Sequence, residues 1–147
     1  MQALSNTILT SREYSLGKFI GEIKAWCEAA MCGVKNMSLS ELFVPEDYAF
    51  LLPEAEKYAE RCGVHLYLEK TFLTTDLWPK IDTAGKWVFV IYKAQKNIDD
   101  YLTLKAQYDM LVNKGIYIGT VRKEVSQKMG LLLGYPLEYV TTILSRN

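Results

Sequence analysis

Four side chains in this 147-residue chain have the chemistry of soft-metal ligands or nucleophiles: Cys27, Cys32, Cys62 and His65. Spaced as Cys-x4-Cys and Cys-x2-His, they match the donor types of a tetrahedral zinc site. Helical periodicity opposes that reading, because Cys27 and Cys32 lie five residues apart on one helix and point about 140° away from each other. Cys62 closes one element and His65 opens the next. Free thiols pack as small hydrophobes, so the cysteines read as core residues, and no metal and no cofactor is expected. Cys62 with His65 also lacks the orienting third group that a nucleophile–base pair needs. His65 is the only histidine, so any proton transfer near neutral pH would fall to it. Glycine-rich phosphate loops and a Ser-His-Asp order are absent from the sequence.

Binding chemistry is concentrated further along. Val64, Leu66 and Leu68 alternate with His65, Tyr67 and Glu69, which predicts a half-buried strand carrying a polar stripe on its solvent face. Residues 71–85 then join this strand to the next. Structureless connections above about 12 residues are uncommon and tend to be functional, and this one carries Phe72, Leu73, Leu77, Trp78 and Ile81. Such a segment must fold back over something: a sheet edge, a ligand or a second subunit. His65, Tyr67, Glu69, Asp76 and Trp78 are therefore the candidate binding residues. Trp78 would supply buried aromatic area, and Asp76 and Glu69 would accept hydrogen bonds.

The C-terminal third has a different organisation. Over residues 125–146, Gly130, Gly134, Val140 and Ile143 resemble a helix-turn-helix, in which a small residue lets two helices touch, a glycine turns the chain and apolar anchors lock the second helix. From Val112 onward there are five basic residues (Lys114, Arg122, Lys123, Lys128, Arg146) and two acidic ones (Glu124, Glu138). If the segment bound DNA, Arg122, Lys123 and Lys128 would carry the phosphate contacts. The second helix, however, offers Leu137, Glu138, Tyr139, Thr141 and Thr142, with no Arg, Asn or Gln placed to read base edges. The stretch from Gly130 to Val140 is also similar to a signature in a bacterial domain family of unknown function, a resemblance that implies no activity. Gly115-Ile-Tyr-Ile-Gly119 fuses both halves of the GIY-YIG nuclease signature into one pentapeptide. The overlap at Tyr117 removes the second half, and with it the nuclease reading.

The elements that position these residues follow from periodicity. Leu16, Phe19, Ile20, Ile23, Cys27, Ala30 and Met31 predict a helix of about five turns ended by Gly33. Gly17 and Gly21, one turn apart within it, predict close approach of another backbone. Residues 36–42 read as a short strand. Pro53 predicts a break between a short turn at 46–51 and a new helix ending at Gly63. The helix–glycine–strand order then suggests a βαβ unit, with 36–42 pairing directly with 64–70. Residues 86–93 are apolar on both faces and predict a central strand. Three helices, at about 97–113, 120–133 and 136–145, complete the chain.

These elements give one α/β (or α+β) domain over 1–147, with a small sheet of about three strands packed by four to five helices. Equal numbers of basic and acidic residues provide no field to recruit nucleic acid or a membrane surface. The longest apolar run, Trp87 to Tyr92, is too short to span a bilayer. An odd cysteine count with no export signal points to a cytoplasmic protein with reduced thiols. Ten tyrosines and three tryptophans favour interfaces, so a homodimer is expected. The favoured function is a non-enzymatic binding or protein-interaction module using the 71–85 loop and the adjacent strand face. A helix-turn-helix DNA-binding regulator through 120–146 is the alternative, followed by an enzyme of unknown class with His65 as acid or base.

Overall fold

In a computed structural model, which describes residues 11–78 and 82–146, the first helix, α1, spans Ser11–Met31 and buries Phe19, Ile23, Cys27 and Ala30. Gly33, at φ +73°, turns the chain, and the Val34 N–H returns to the Ala29 carbonyl at 3.1 Å. Gly17 and Gly21 do not admit another backbone as expected. Both face solvent, and a β-carbon at either would meet nothing within 4 Å.

Helix α2, Tyr48–Cys62, follows a 3-10 turn over Pro45–Asp47 and runs through Pro53 without the predicted break. The missing N–H forfeits the bond to the Ala49 carbonyl, but Ala49 and Pro53 are both exposed, so water can reach that carbonyl. The buried stripe of Leu51, Ala55 and Ala59 holds the helix across the gap. Gly63, at φ +65°, closes it as expected.

Strands β1 (Met37–Leu39), β2 (His65–Glu69) and β3 (Val88–Tyr92) form an antiparallel sheet in the order β1-β3-β2. The expected direct pairing of 36–42 with 64–70 is therefore wrong. β3 separates them, because a strand buried on both faces gains most from a partner on each side. Its central position is the expected one.

Strand register divides the sheet into two faces. Phe89, Ile91, Leu66 and Leu68 pack with α1 and α2. Met37, Leu39, Val90 and Tyr67 pack with α3 (Gln95–Asn113), α4 (Gly119–Leu132) and α5 (Leu137–Ser145). At Tyr67 and Glu69 this face is thus covered by helices rather than being a solvent face, with Glu69 only 2% exposed, while His65 at the start of the strand stays exposed. Leu73 and Leu77 join the same core as Tyr101, Met129, Leu133 and Val140, so the long connection folds back onto its own chain. Ile81 lies outside the described residues. No helix among the described residues is long and apolar enough to cross a membrane.

Candidate functional site

The α4–α5 hairpin closes as its glycines imply. A β-carbon on Gly130 would stand 2.6 Å from Val140 Cγ2, so the helices touch where no larger residue fits. Gly134, at φ +74°, makes the turn, and the Tyr135 N–H reaches back to the Gly130 carbonyl at 2.9 Å. The turn lies against the backbone of Val34 and Lys35, just ahead of β1. Tyr135 is thereby brought beside Lys35, although the two are far apart in sequence.

Around this contact is a cleft of about 430 Å³, straddling the β1 edge where the two helical layers meet. Trp26 of α1 forms one wall, Phe72 and Trp78 of the long connection another, and Tyr135 a third, above Leu39 and Val88. Phe72 and Trp78 pack with ring centroids 5.4 Å apart. All four aromatic side chains remain only half-buried.

The charge in the cleft is Lys35. Its ammonium lies 5.3 Å from the Trp26 ring centroid and 4.8 Å from that of Tyr135, within cation–π range. It donates to the Leu133 carbonyl at 3.2 Å, capping one of the orphan acceptors at the end of α4. Burial lowers its pKa from the ordinary lysine value. Glu41, at the rim, is engaged elsewhere, accepting from Lys18 at 3.1 Å. The Ser40 hydroxyl is also consumed, donating to the Glu41 carbonyl and accepting from the Phe89 N–H.

Of the five candidate binding residues named from sequence, Trp78 alone lines this cleft. Tyr67 is half-buried in the core beneath α3. Glu69 accepts from the Tyr101 hydroxyl at 2.7 Å, the Lys105 ammonium at 2.7 Å and the Thr71 N–H at 2.9 Å, so it anchors the start of the long connection. Asp76 takes both arms of the Arg122 guanidinium at 2.6 Å, which holds its carboxyl below the usual carboxylate range. The connection is thus pinned at Glu69 and Asp76, with Phe72 between those pins and Trp78 two residues beyond the second. His65 is exposed, stacks on Tyr92 with ring centroids 5.4 Å apart and stands across β3 from the cleft.

Trp26, Lys35 and Tyr135 were missed by sequence reasoning because they come from separate elements. The Gly134-Tyr135-Pro136 turn was visible, but the segment it docks on was not.

Among the described residues no group of three or more His, Cys, Asp or Glu side chains converges on a metal position. Cys27 is buried between α1 and α2 and Cys62 is half-buried, but Cys32 is not the core residue expected, because it lies past the end of α1 and is exposed. Burial pushes the Cys27 thiol up to about 12, with Cys62 and Glu28 adding to the shift, so it stays protonated. Residues 115–118 lie in the turn between α3 and α4, which Gly119 opens, and Tyr117 packs edge-on against Tyr108 at 4.8 Å.

Arg122 is held by Asp76, and Lys128 lines a second hollow, of about 450 Å³, between α3 and α4 with Lys96, Asp100 and Gln107. That hollow has no aromatic side chain in its lining, and Leu104, Leu131 and Leu132 supply its apolar wall. Lys123 is exposed. No family model matches the chain, and no curated protein or solved structure matches it.

Proposed function

We propose that this chain is a non-enzymatic binding protein whose site is the aromatic cleft between α1, the 71–78 segment and the α4–α5 turn. The supporting observation is the convergence of four aromatic side chains, from three distant segments, on one 430 Å³ hollow that leaves them half-covered. Aromatic surface of this size is usually covered by core, by a partner or by a ligand. The proposal keeps Trp78 as the central contact and moves the remaining contacts from the β2 face to the β1 edge.

The test is a fluorescence titration with phenylnaphthylamine, a neutral aromatic probe that brightens in apolar surroundings. Saturable binding at one site per chain is expected. Trp78→Ala should weaken it at least about tenfold, the scale of removing a central aromatic contact, while the helical circular-dichroism signal is unchanged. An absence of saturable binding, or the same affinity in Trp78→Ala, would overturn the reading.

Duplex binding through residues 120–146 has less support. Arg122 is engaged by Asp76, and α5 exposes Leu137 and Tyr139. Duplex titrations that stay flat at low salt dismiss it. Catalysis by His65 has less support as well, because that side chain does not line the cavity described above. Pairing of two copies remains part of the proposal on aromatic content and on exposed Leu131, Leu137 and Tyr139. Native mass spectrometry tests it, and a monomer alone at micromolar concentration would remove it.

A further inference from the structure

We infer that the cleft takes a small planar aromatic monoanion, with its carboxylate or sulfonate on the Lys35 ammonium and its ring between the walls of Trp26, Phe72, Trp78 and Tyr135. The inference rests on the cleft being a ligand site and specifies what that ligand is. Lys35 is half-buried, and among the described residues no carboxylate lies within ion-pair distance of it. Glu41, the acid lining the same cleft, is drawn off by Lys18 on the solvent side. A partly desolvated cation is costly unless paired. What holds it in place is one carbonyl and two ring faces.

An ammonium has three N–H donors, and the Leu133 carbonyl uses one. The remaining two can serve an anionic ligand, and charge-assisted bonds are the strong ones. Trp26 and Tyr135, which flank the ammonium, fix its position, so a ligand need not order it. The walls select a flat body, because ring faces bind planar groups with the largest contact at the least ordering cost.

Two probes that share one ring system separate this inference from the reading it rests on: anilinonaphthalenesulfonate carries a sulfonate, and phenylnaphthylamine does not. The anionic probe is expected to bind at least about tenfold more tightly, the scale of one charge-assisted hydrogen bond. Lys35→Met should erase that advantage, bringing the two probes within about twofold of each other. Lys35→Arg, which keeps the cation, should preserve most of the advantage.

If both probes bind equally in the unaltered protein, with Trp78→Ala weakening both, the anion inference fails and the cleft reading stands. The same holds if Lys35→Met leaves the sulfonate's advantage intact. If neither probe shows saturable, Trp78-dependent binding, the cleft reading itself fails. The two-probe comparison in the unaltered protein decides the matter even if Lys35→Met folds poorly.

Discussion

Replacing Gly130 with alanine sets two effects of opposite sign against each other. In a helix interior the exchange is worth up to about 1 kcal/mol in favour of alanine. At Gly130, however, the new methyl would stand 2.6 Å from Val140 Cγ2 and 3.5 Å from Leu77 Cδ1. Val140 is fully buried, and a β-branched side chain in a helix has one strongly preferred rotamer. It cannot swing aside, so α5 must move. Overpacking of this kind costs about 1–3 kcal/mol, so the net expectation is a loss of up to about 2 kcal/mol.

Equilibrium urea unfolding reads that number, with two controls. Gly17→Ala and Gly21→Ala sit on the exposed face of α1 with nothing within 4 Å, so each should stabilise by about 0.5–1 kcal/mol. In the Gly130→Ala, Val140→Ala double variant the added methyl occupies the space vacated by Val140 Cγ2. The cycle should therefore show a favourable coupling of about 1–2 kcal/mol. Because Tyr135 lies in the turn into α5, Gly130→Ala alone should also weaken probe binding in the cleft. Stabilisation by Gly130→Ala, or strict additivity of the pair, would refute the tight crossing and the placement of Tyr135 that depends on it.

Lys105→Met leaves the buried Glu69 carboxylate without its cation, and removing one member of such a pair costs about 3–5 kcal/mol. Thermal unfolding should show it, and an unchanged midpoint would contradict the network. Thiol labelling at neutral pH should modify Cys32 quickly and spare Cys27 until the chain unfolds. The same thiol sets an alkaline limit. Its pKa rises from the ordinary 9.0 to about 12 on folding, so the unfolded chain releases its proton first. Stability from this source is complete below pH 9 and is lost as pH rises from 9 towards about 12. Cys27→Ala should flatten that decline, and an identical alkaline profile would contradict the burial argument.

Local pattern made much of this fold legible. The glycine stops at 33, 63 and 134 and the apolar stretch of β3 are signals spanning a few residues, and the structure follows them. The tight helix crossing at Gly130 could be read because its partner, Val140, is only ten residues away. The failures at the β2 face and in the strand pairing share a cause, which is that the deciding partner is distant. Nothing near Glu69 in sequence announces that Tyr101 and Lys105 will cover it, so a polar stripe looked like a solvent face. β1 and β2 run in the same direction, as a βαβ reading requires, but only the later arrival of β3 shows that the slot between them is filled. Pro53 and the Gly17/Gly21 pair failed differently, because a residue's cost depends on whether its face is exposed. The cleft was half legible. Trp78 and Phe72 stood out in an overlong, apolar connection, whereas Trp26, Lys35 and Tyr135 meet them through tertiary packing alone.

The three tryptophans offer the most direct test of the central claim, because two line the cleft and the third does not. Trp26 and Trp78 face the hollow, while Trp87 packs against Tyr48 at 5.6 Å in the other layer. The measurement is a heteronuclear NMR titration of the three indole N–H signals with phenylnaphthylamine. The account predicts that the Trp26 and Trp78 signals shift together and saturate, while Trp87 stays in place. Signals that all remain fixed, or a shift confined to Trp87, would contradict the aromatic cleft as the binding site.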